Sequence, residues 1–407
     1  MRIFSVDKSI CFLFLISPFL LVFNYIFSPI PVSLLKELIQ IQVIVILLFK
    51  LMKSKLDSLD VFFLIFLIYF LFHLITLTDA KLWVDGVRYQ LGYITIGILL
   101  IINRVYIIKL DKVAYYIFIM AVPVVVIAIV EFFDSGIIEV IYGESKSLLN
   151  HTELALGERL ISTFGNPINL GVFLTISYVS AFYIYKERKI NVFVFSLFSI
   201  SVCFVIFFTF SRIAIISFFI VSCYFFLIGS SMFKKVALSL FVFLFLYFFS
   251  FEYTMISYLN DFNTDLMFER FLNISNSDTY VENARVRNWS VALQNIDTLL
   301  FSIWGLGVGF INPTVEEGGI IVENMFISVL IEYGAVGLLF YIFYFIYLIK
   351  IGSKLKGGDK YFSIGFLIVF LICGMGNDLN RNFPFVFYFW TISAAIILKY
   401  KKEMYCE

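Results

Sequence analysis

The stretch FFTFSRIAIISFF, residues 207–219, sets one cation inside an otherwise apolar run: from Phe204 to Leu227, Arg212 is the only formal charge. A cation at the centre of a bilayer-spanning helix costs about 2.5–3.5 kcal/mol on insertion scales. Either a function retains that cost or Arg212 sits where its head is wet. Such runs are the rule in this chain. Of its 407 residues, 61% are hydrophobic, 20% aromatic and 14% charged, against about 25% charged in a soluble domain. A water-soluble core cannot hide that much apolar surface, so the chain reads as an all-α polytopic integral membrane protein.

Runs long enough to cross a hydrocarbon layer of about 30 Å predict some twelve transmembrane helices, at 9–29, 36–52, 60–77, 88–103, 112–132, 166–185, 190–209, 212–229, 235–252, 324–350, 360–376 and 384–400. The first follows Arg2 and Lys8 as a signal peptide would. It is about 20 residues long without a small-residue cleavage site, and reads as an uncleaved span. Residues 1–407 form a single transmembrane domain with two long extracytoplasmic loops, 133–165 and 253–323. The second lies between helices 9 and 10 and carries short helices; Val286, Trp289, Leu293 and Ile296 share a face at helical spacing. A connection of that length is usually functional.

Basic residues set the orientation. With both termini cytoplasmic, every inner loop is positive, from Lys50, Lys53 and Lys55 to Lys350, Lys354, Lys356 and Lys360, and 20 of the 30 basic residues lie inside. The other ten are Lys36, Lys81, Lys146, Arg88, Arg159, Arg212, Arg270, Arg285, Arg287 and Arg381; seven of them are arginine, against three of the 20 inside. Topology needs only positive charge, whereas arginine's planar fork grips phosphate or carboxylate in two places. The outer face therefore favours anion recognition, with pairing to outer acids such as Glu153, Asp265 and Glu282 as the structural alternative. On this topology TFSR falls at the outer junction of two spans, so Arg212 begins a helix near the interface and faces a cavity or a partner. Five scattered cysteines without a CxxC pair and two histidines speak against a zinc site or a disulfide framework. No metal, cofactor or nucleic acid is expected.

Three segments carry candidate chemistry. In ERLISTFGNPINLG (158–171), Arg159 and Asn166 flank a Gly-Asn-Pro turn that opens a helix, whose free amides could hold an anion; a plain helix start is the alternative. In ENARVRNWSVALQN (282–295), Arg285 and Arg287 stand two apart and point to different sides of a helix. The WGLGVGF that follows matches no phosphate-loop pattern and reads as a tight turn. In ENMFISVLIEYGAVGL (323–338), Glu323 and Asn324 open a span from outside. Glu323 either complements the helix dipole or serves as a base beside a sugar hydroxyl. Glu332, deeper in an apolar helix, is paired or functional. His73 is expected to bond to a neighbouring helix, His151 belongs to no triad, and GMGNDLNRNFP (374–384) is a polar outer turn.

Together these segments, in this order and spacing, resemble the O-antigen polymerase (Wzy-type) family within the O-antigen ligase and polymerase superfamily. The resemblance implies a membrane-embedded C-type, inverting glycosyltransferase in a bacterial inner membrane, facing the periplasm and working without a metal. Its donor and acceptor would be oligosaccharides linked to undecaprenyl diphosphate in the membrane lipid, with room for a chain-length regulator protein as a further partner. Carried over by position, Arg159 and Arg212, with Arg285 or Arg287, would hold the diphosphate, Asn166 and Asn324 would line the substrate, and Glu323 would activate the acceptor. The ligase branch commonly has a histidine in that region, so glutamate favours polymerase. The alternatives are an O-antigen ligase acting on lipid A core and a lipid-linked oligosaccharide flippase. A flippase needs a polar path through the membrane and internal repeats; here polar residues gather at one face and no repeat is visible.

The orientation predicts that a cysteine replacing Ser277 reacts with a membrane-impermeant thiol reagent in cells with only the outer membrane opened. Labelling that requires a broken inner membrane would reverse the topology.

Overall fold

The computed structural model describes residues 5–28, 32–52, 56–75, 80–104, 109–143, 153–154, 157–228, 284–294, 296, 298–311 and 322–406. In an apolar medium each peptide group must be satisfied within the protein, which leaves helices as the economical solution for this composition. The described chain is accordingly helical, with one two-residue ladder pairing Glu153–Leu154 with Gly157–Glu158. The helices are α1 (Val6–Ile16), continuing through a 3₁₀ turn into α2 (Leu20–Ile26), α3 (Ser33–Leu51), α4 (Ser58–Ile75) and α5 (Ala80–Gly86), which passes through a π turn into α6 (Gly92–Ile102). They continue with α7 (Leu110–Phe133), α8 (Gly136–Tyr142), α9 (Pro167–Lys186), α10 (Val192–Phe208) and α11 (Arg212–Ile228). The remainder are α12 (Ala284–Gln294), α13 (Leu299–Trp304), α14 (Met325–Gly352), α15 (Gly357–Gly374) and α16 (Phe385–Cys406).

Six of these stretches are long and apolar enough to cross a membrane, and α4, α10 and α11 are shorter apolar helices. The chain is thus a multi-pass helical membrane protein. Helices also stand at the other expected spans, except that 235–252 lies outside the described residues. So do His151 and much of the long 253–323 segment.

Burial divides the helices into an inner and an outer set. Inner α9 packs against α7, α10, α11 and α15, while α6 packs against α3, α4 and α16. At Gly97 of α6 an added Cβ would meet the Cβ of Trp390, so the absence of a side chain lets α16 approach closely. The outer set exposes large apolar residues: Leu38, Ile41 and Phe49 on α3, Phe62, Ile65 and Ile68 on α4, Phe193 and Leu197 on α10, Phe343 and Ile346 on α14. An apolar surface of this extent is a lipid-facing one.

The two ends of the bundle differ. One gathers Asp57, Asp60, Arg104 and Lys401 into an ion-pair network and adds Lys189–Asp111 and Lys399–Asp359. These residues come from the segments the sequence grouped as inner loops. The described parts of the segments it grouped as outer meet at the other, polar end.

At the polar end part of the expected 133–165 loop folds back into the bundle. The buried Glu131 carboxylate at the end of α7 accepts from the amides of Ile161 (3.0 Å) and Ser162 (2.7 Å). Ser162 Oγ donates to the Val124 carbonyl and Tyr142 Oη to the Ser162 carbonyl. A carboxylate receiving two backbone amides fixes the strand of chain that carries Arg159.

Helix α14 is broken at Gly334 (φ 65°, ψ −172°). The carbonyls freed by the break take partners from elsewhere: Leu306 N donates to Ile331 O (2.8 Å), Gly307 N to Glu332 O (3.0 Å) and Tyr69 Oη to Tyr333 O (2.6 Å). The WGLGVGF turn is the tight turn expected, with Gly305, Gly307 and Gly309 all at positive φ. His73 lies against the carbonyls of Tyr69 and Trp304, which ties α4 to α13 as anticipated.

Gly334→Ala is expected to destabilise the fold strongly, because positive φ with ψ near 180° is a region only glycine adopts readily and costs another residue about 1–3 kcal/mol, and the new Cβ strikes the Ile303 carbonyl. Thermal unfolding in detergent should show a clear fall, while Gly136→Ala, whose Cβ meets only the Asp134 side chain, should leave the midpoint unchanged.

Candidate functional site

Arg159 and Arg212, 53 positions apart by their numbering, are brought to one place. Arg159 Nε donates to the Thr209 carbonyl at 2.8 Å, and Leu160 N donates to Phe208 O. The chain then turns through Phe210 at φ 50° and starts α11 at Arg212, which is exposed. Arg212 thus begins a helix at the polar end, as the sequence predicted, and does not lie in mid-span.

The helix start at Pro167 is arranged differently from the expected anion cradle. Asn166 Oδ1 accepts from the amides of Ile168 (2.8 Å) and Asn169 (3.3 Å). The protein's own side chain therefore caps the amides that were candidates for an anion. Asn324 does the same for α14, accepting from Phe326 and Ile327, while its Nδ2 donates to Met375 O at 3.1 Å. Both asparagines thus act as caps. The second also ties the head of α14 to the turn before α16. Glu323, partly buried, precedes that cap.

Arg285 and Arg287 lie on α12, a helix as expected. Ala292 of α12 packs with Ile311, Val322 and Ile331, joined by Trp289 and Ile296. This cluster seats α12 beside the residue preceding Glu323. The expected face is shifted slightly: Ala292 is buried while Leu293 is 40% exposed.

The turn 375–384 is the part that sequence reasoning undervalued. Asn377 Nδ2 donates to Asn169 Oδ1 (3.0 Å) and Asn382 Nδ2 to Asn377 Oδ1 (3.0 Å), joining this turn to the start of α9. Arg381 Nη2 lies 3.4 Å from Oε1 of the fully buried Glu332, which also accepts from Gly309 N at 2.8 Å. Glu332 is therefore paired, the first of the two roles open to it. Asp378 is buried beside them, and burial pushes its carboxyl up to about 7. Lys36, also buried, rests its ammonium over the rings of Tyr89 and Phe383, next to the Arg88–Glu37 pair. In the sequence the only hints were the polar composition of 374–384 and the placement of Lys36 and Arg381 among the outer cations.

No protein-family model matches the chain, and no curated protein matches it.

Removing one member of a buried ion pair leaves an uncompensated charge and costs about 3–5 kcal/mol. Arg381→Ala should therefore lower the unfolding midpoint far more than alanine at exposed Lys189, and Arg381→Lys should recover part of the loss. Equal effects for the two alanine variants would remove the Glu332–Arg381 pair from the stability of the fold.

Proposed function

We propose that the chain is a surface-polysaccharide polymerase of the O-antigen type. It joins repeat units linked to a polyprenyl diphosphate by moving the growing glycan onto the acceptor unit. The observation that carries this reading is the meeting of Arg159 with the Thr209–Arg212 turn at the polar end of an otherwise apolar bundle. A lipid-linked diphosphate needs that combination, with hydrocarbon walls for the lipid and forked cations where the bilayer ends.

In the proposed reaction an acceptor hydroxyl attacks the anomeric carbon of the donor sugar. The new glycosidic C–O bond forms as the bond from that carbon to the diphosphate oxygen breaks, with inversion. Glu323 takes the hydroxyl proton, and the diphosphate leaves with the bonding electron pair. Arg159 and Arg212, with Arg285 or Arg287 from α12, stabilise the charge that develops on the leaving oxygens. Asn166 and Asn324 hold the two helix starts that shape the mouth, a positioning role in keeping with their caps. No particular contact favours the ligase or flippase readings.

The test uses purified protein with lipid-linked repeat units, read as glycan length on a gel. A positioned base contributes about 10²–10⁴-fold, so Glu323→Gln should leave single-unit glycans at normal protein levels. Arg212→Lys keeps charge but loses the two-pronged grip and should polymerise much more slowly. Wild-type chain lengths from Glu323→Gln would reject the base, and a wild-type protein that leaves repeat units unjoined would reject the polymerase reading.

A further inference from the structure

Two buried carboxyl groups share one guanidinium at the polar end. Glu332 is 0% exposed and Asp378 7%. Arg381 pairs with Glu332, while Asp378 has no ion pair among the described residues; its Oδ1 accepts from the Asn380 amide at 3.2 Å. The charged and titratable groups around them do not close the balance. Helix α14 adds the neutral phenols of Tyr333 and Tyr341, and the π turn before α6 adds Tyr89. The Lys36 ammonium of α3 looks onto aromatic rings and has Glu37 and Arg88 as its charged neighbours. Two carboxylates against one guanidinium leave a net charge of minus one, enclosed in a membrane protein. An uncompensated buried carboxylate is costly enough that proteins neutralise it.

The same place holds oxygen atoms with nothing to bond. Glu332 Oε2, Asp378 Oδ2, Ser328 Oγ and Gln90 Oε1 are buried without hydrogen-bond partners, as are the nitrogens Gln90 Nε2, Asn380 Nδ2 and Arg381 Nη1. Ser328 stands one turn before Glu332 on α14 and faces Asp378, while Gln90 faces Glu332. The four oxygens therefore come from three segments that converge. The two carboxylates with one negative charge to spare, joined by the Ser328 hydroxyl, suit a small hard cation, and a divalent ion would overshoot the balance.

We propose that Glu332 and Asp378 together bind one monovalent cation, either a proton or an alkali-metal ion. The site goes beyond the polymerase reading and does not depend on it. The raised Asp378 carboxyl, up to about 7 through burial with Arg381 opposing, favours exchange of that cation near neutral pH. The sign of the proton effect follows from linkage. The folded state holds a proton that the unfolded chain releases above the ordinary carboxyl value of 3.8. Stability is therefore full at low pH, falls as pH rises toward 7, and is flat above.

The test is thermal unfolding of the purified full chain in lipid nanodiscs. In choline chloride buffer without alkali metals, a proton site predicts a midpoint that falls from about pH 5 to about pH 7 and levels off above, with no response to added sodium chloride. An alkali-metal site predicts that, at the upper pH, sodium chloride raises the midpoint above choline chloride of equal ionic strength. Asp378→Asn removes the surplus charge, so it should lose whichever response the wild type shows and melt no lower than wild type at the upper pH. Should that variant fail to fold, Glu332→Gln leaves Asp378 and Arg381 balanced and should lose the response too. A wild type that answers to neither pH nor sodium, or a folded Asp378→Asn that answers as wild type does, would overturn the site.

Discussion

Within a bilayer a peptide carbonyl cannot turn to water, and the carbonyls of Ile331, Glu332 and Tyr333 cannot turn to their own helix, because α14 breaks at Gly334. They are satisfied by two amides of the Gly305–Gly307 turn and by the Tyr69 hydroxyl of α4. The geometry of the polar end depends on that exchange. It anchors α13 against α14 and brings the Gly309 amide to the Glu332 side chain. With Glu332 held there, the Arg381 turn has a fixed partner. The glycines make the approach feasible: at Gly305 and Gly334 alike, a Cβ would collide with the backbone of the opposite segment.

The two ends of the bundle use charge for different purposes. At the lysine-rich end most pairs are partly exposed, as in Lys189–Asp111 and Lys399–Asp359, and pairs of that kind contribute about 0–1 kcal/mol each. Lys401 with Asp60 is the buried exception. Their physical sense is topological, since positive loops fix the side of the membrane on which they stay. At the polar end several charges are buried or committed to backbone: Glu131 to two amides, Glu332 to an amide and a guanidinium, Arg159 to a carbonyl. Such groups are costly to hold in an apolar bundle, and their concentration at one end makes that end the place to look for chemistry.

The helices were legible in the sequence because the signal is local and additive. A run of Phe, Ile, Leu and Val long enough to span hydrocarbon has few other fates, and α7, α9, α14 and α15 begin and end within a few residues of where composition puts them. Helix starts were legible at Asn166–Pro167, and so was the turn in WGLGVGF, since proline and glycine restrict backbone angles by themselves. The expectation that arginines gather on one side came from alternating the spans.

The tertiary structure alone decided which partner each polar group received. Asn166 and Asn324 read equally well as ligands or caps until their Oδ1 atoms were found on the amides of their own helices. Glu332 could have met any of several outer cations; the fold gives it Arg381, 49 positions away by number, and leaves Asp378 beside it without an ion pair among the described residues. Hydropathy fixes where a helix lies along the membrane normal but not its rotation about its own axis, and rotation chooses the neighbour. That rotation is set by close packing at sites such as Gly97 against Trp390 and by the break at Gly334, through contacts between residues far apart in the chain that no local pattern records.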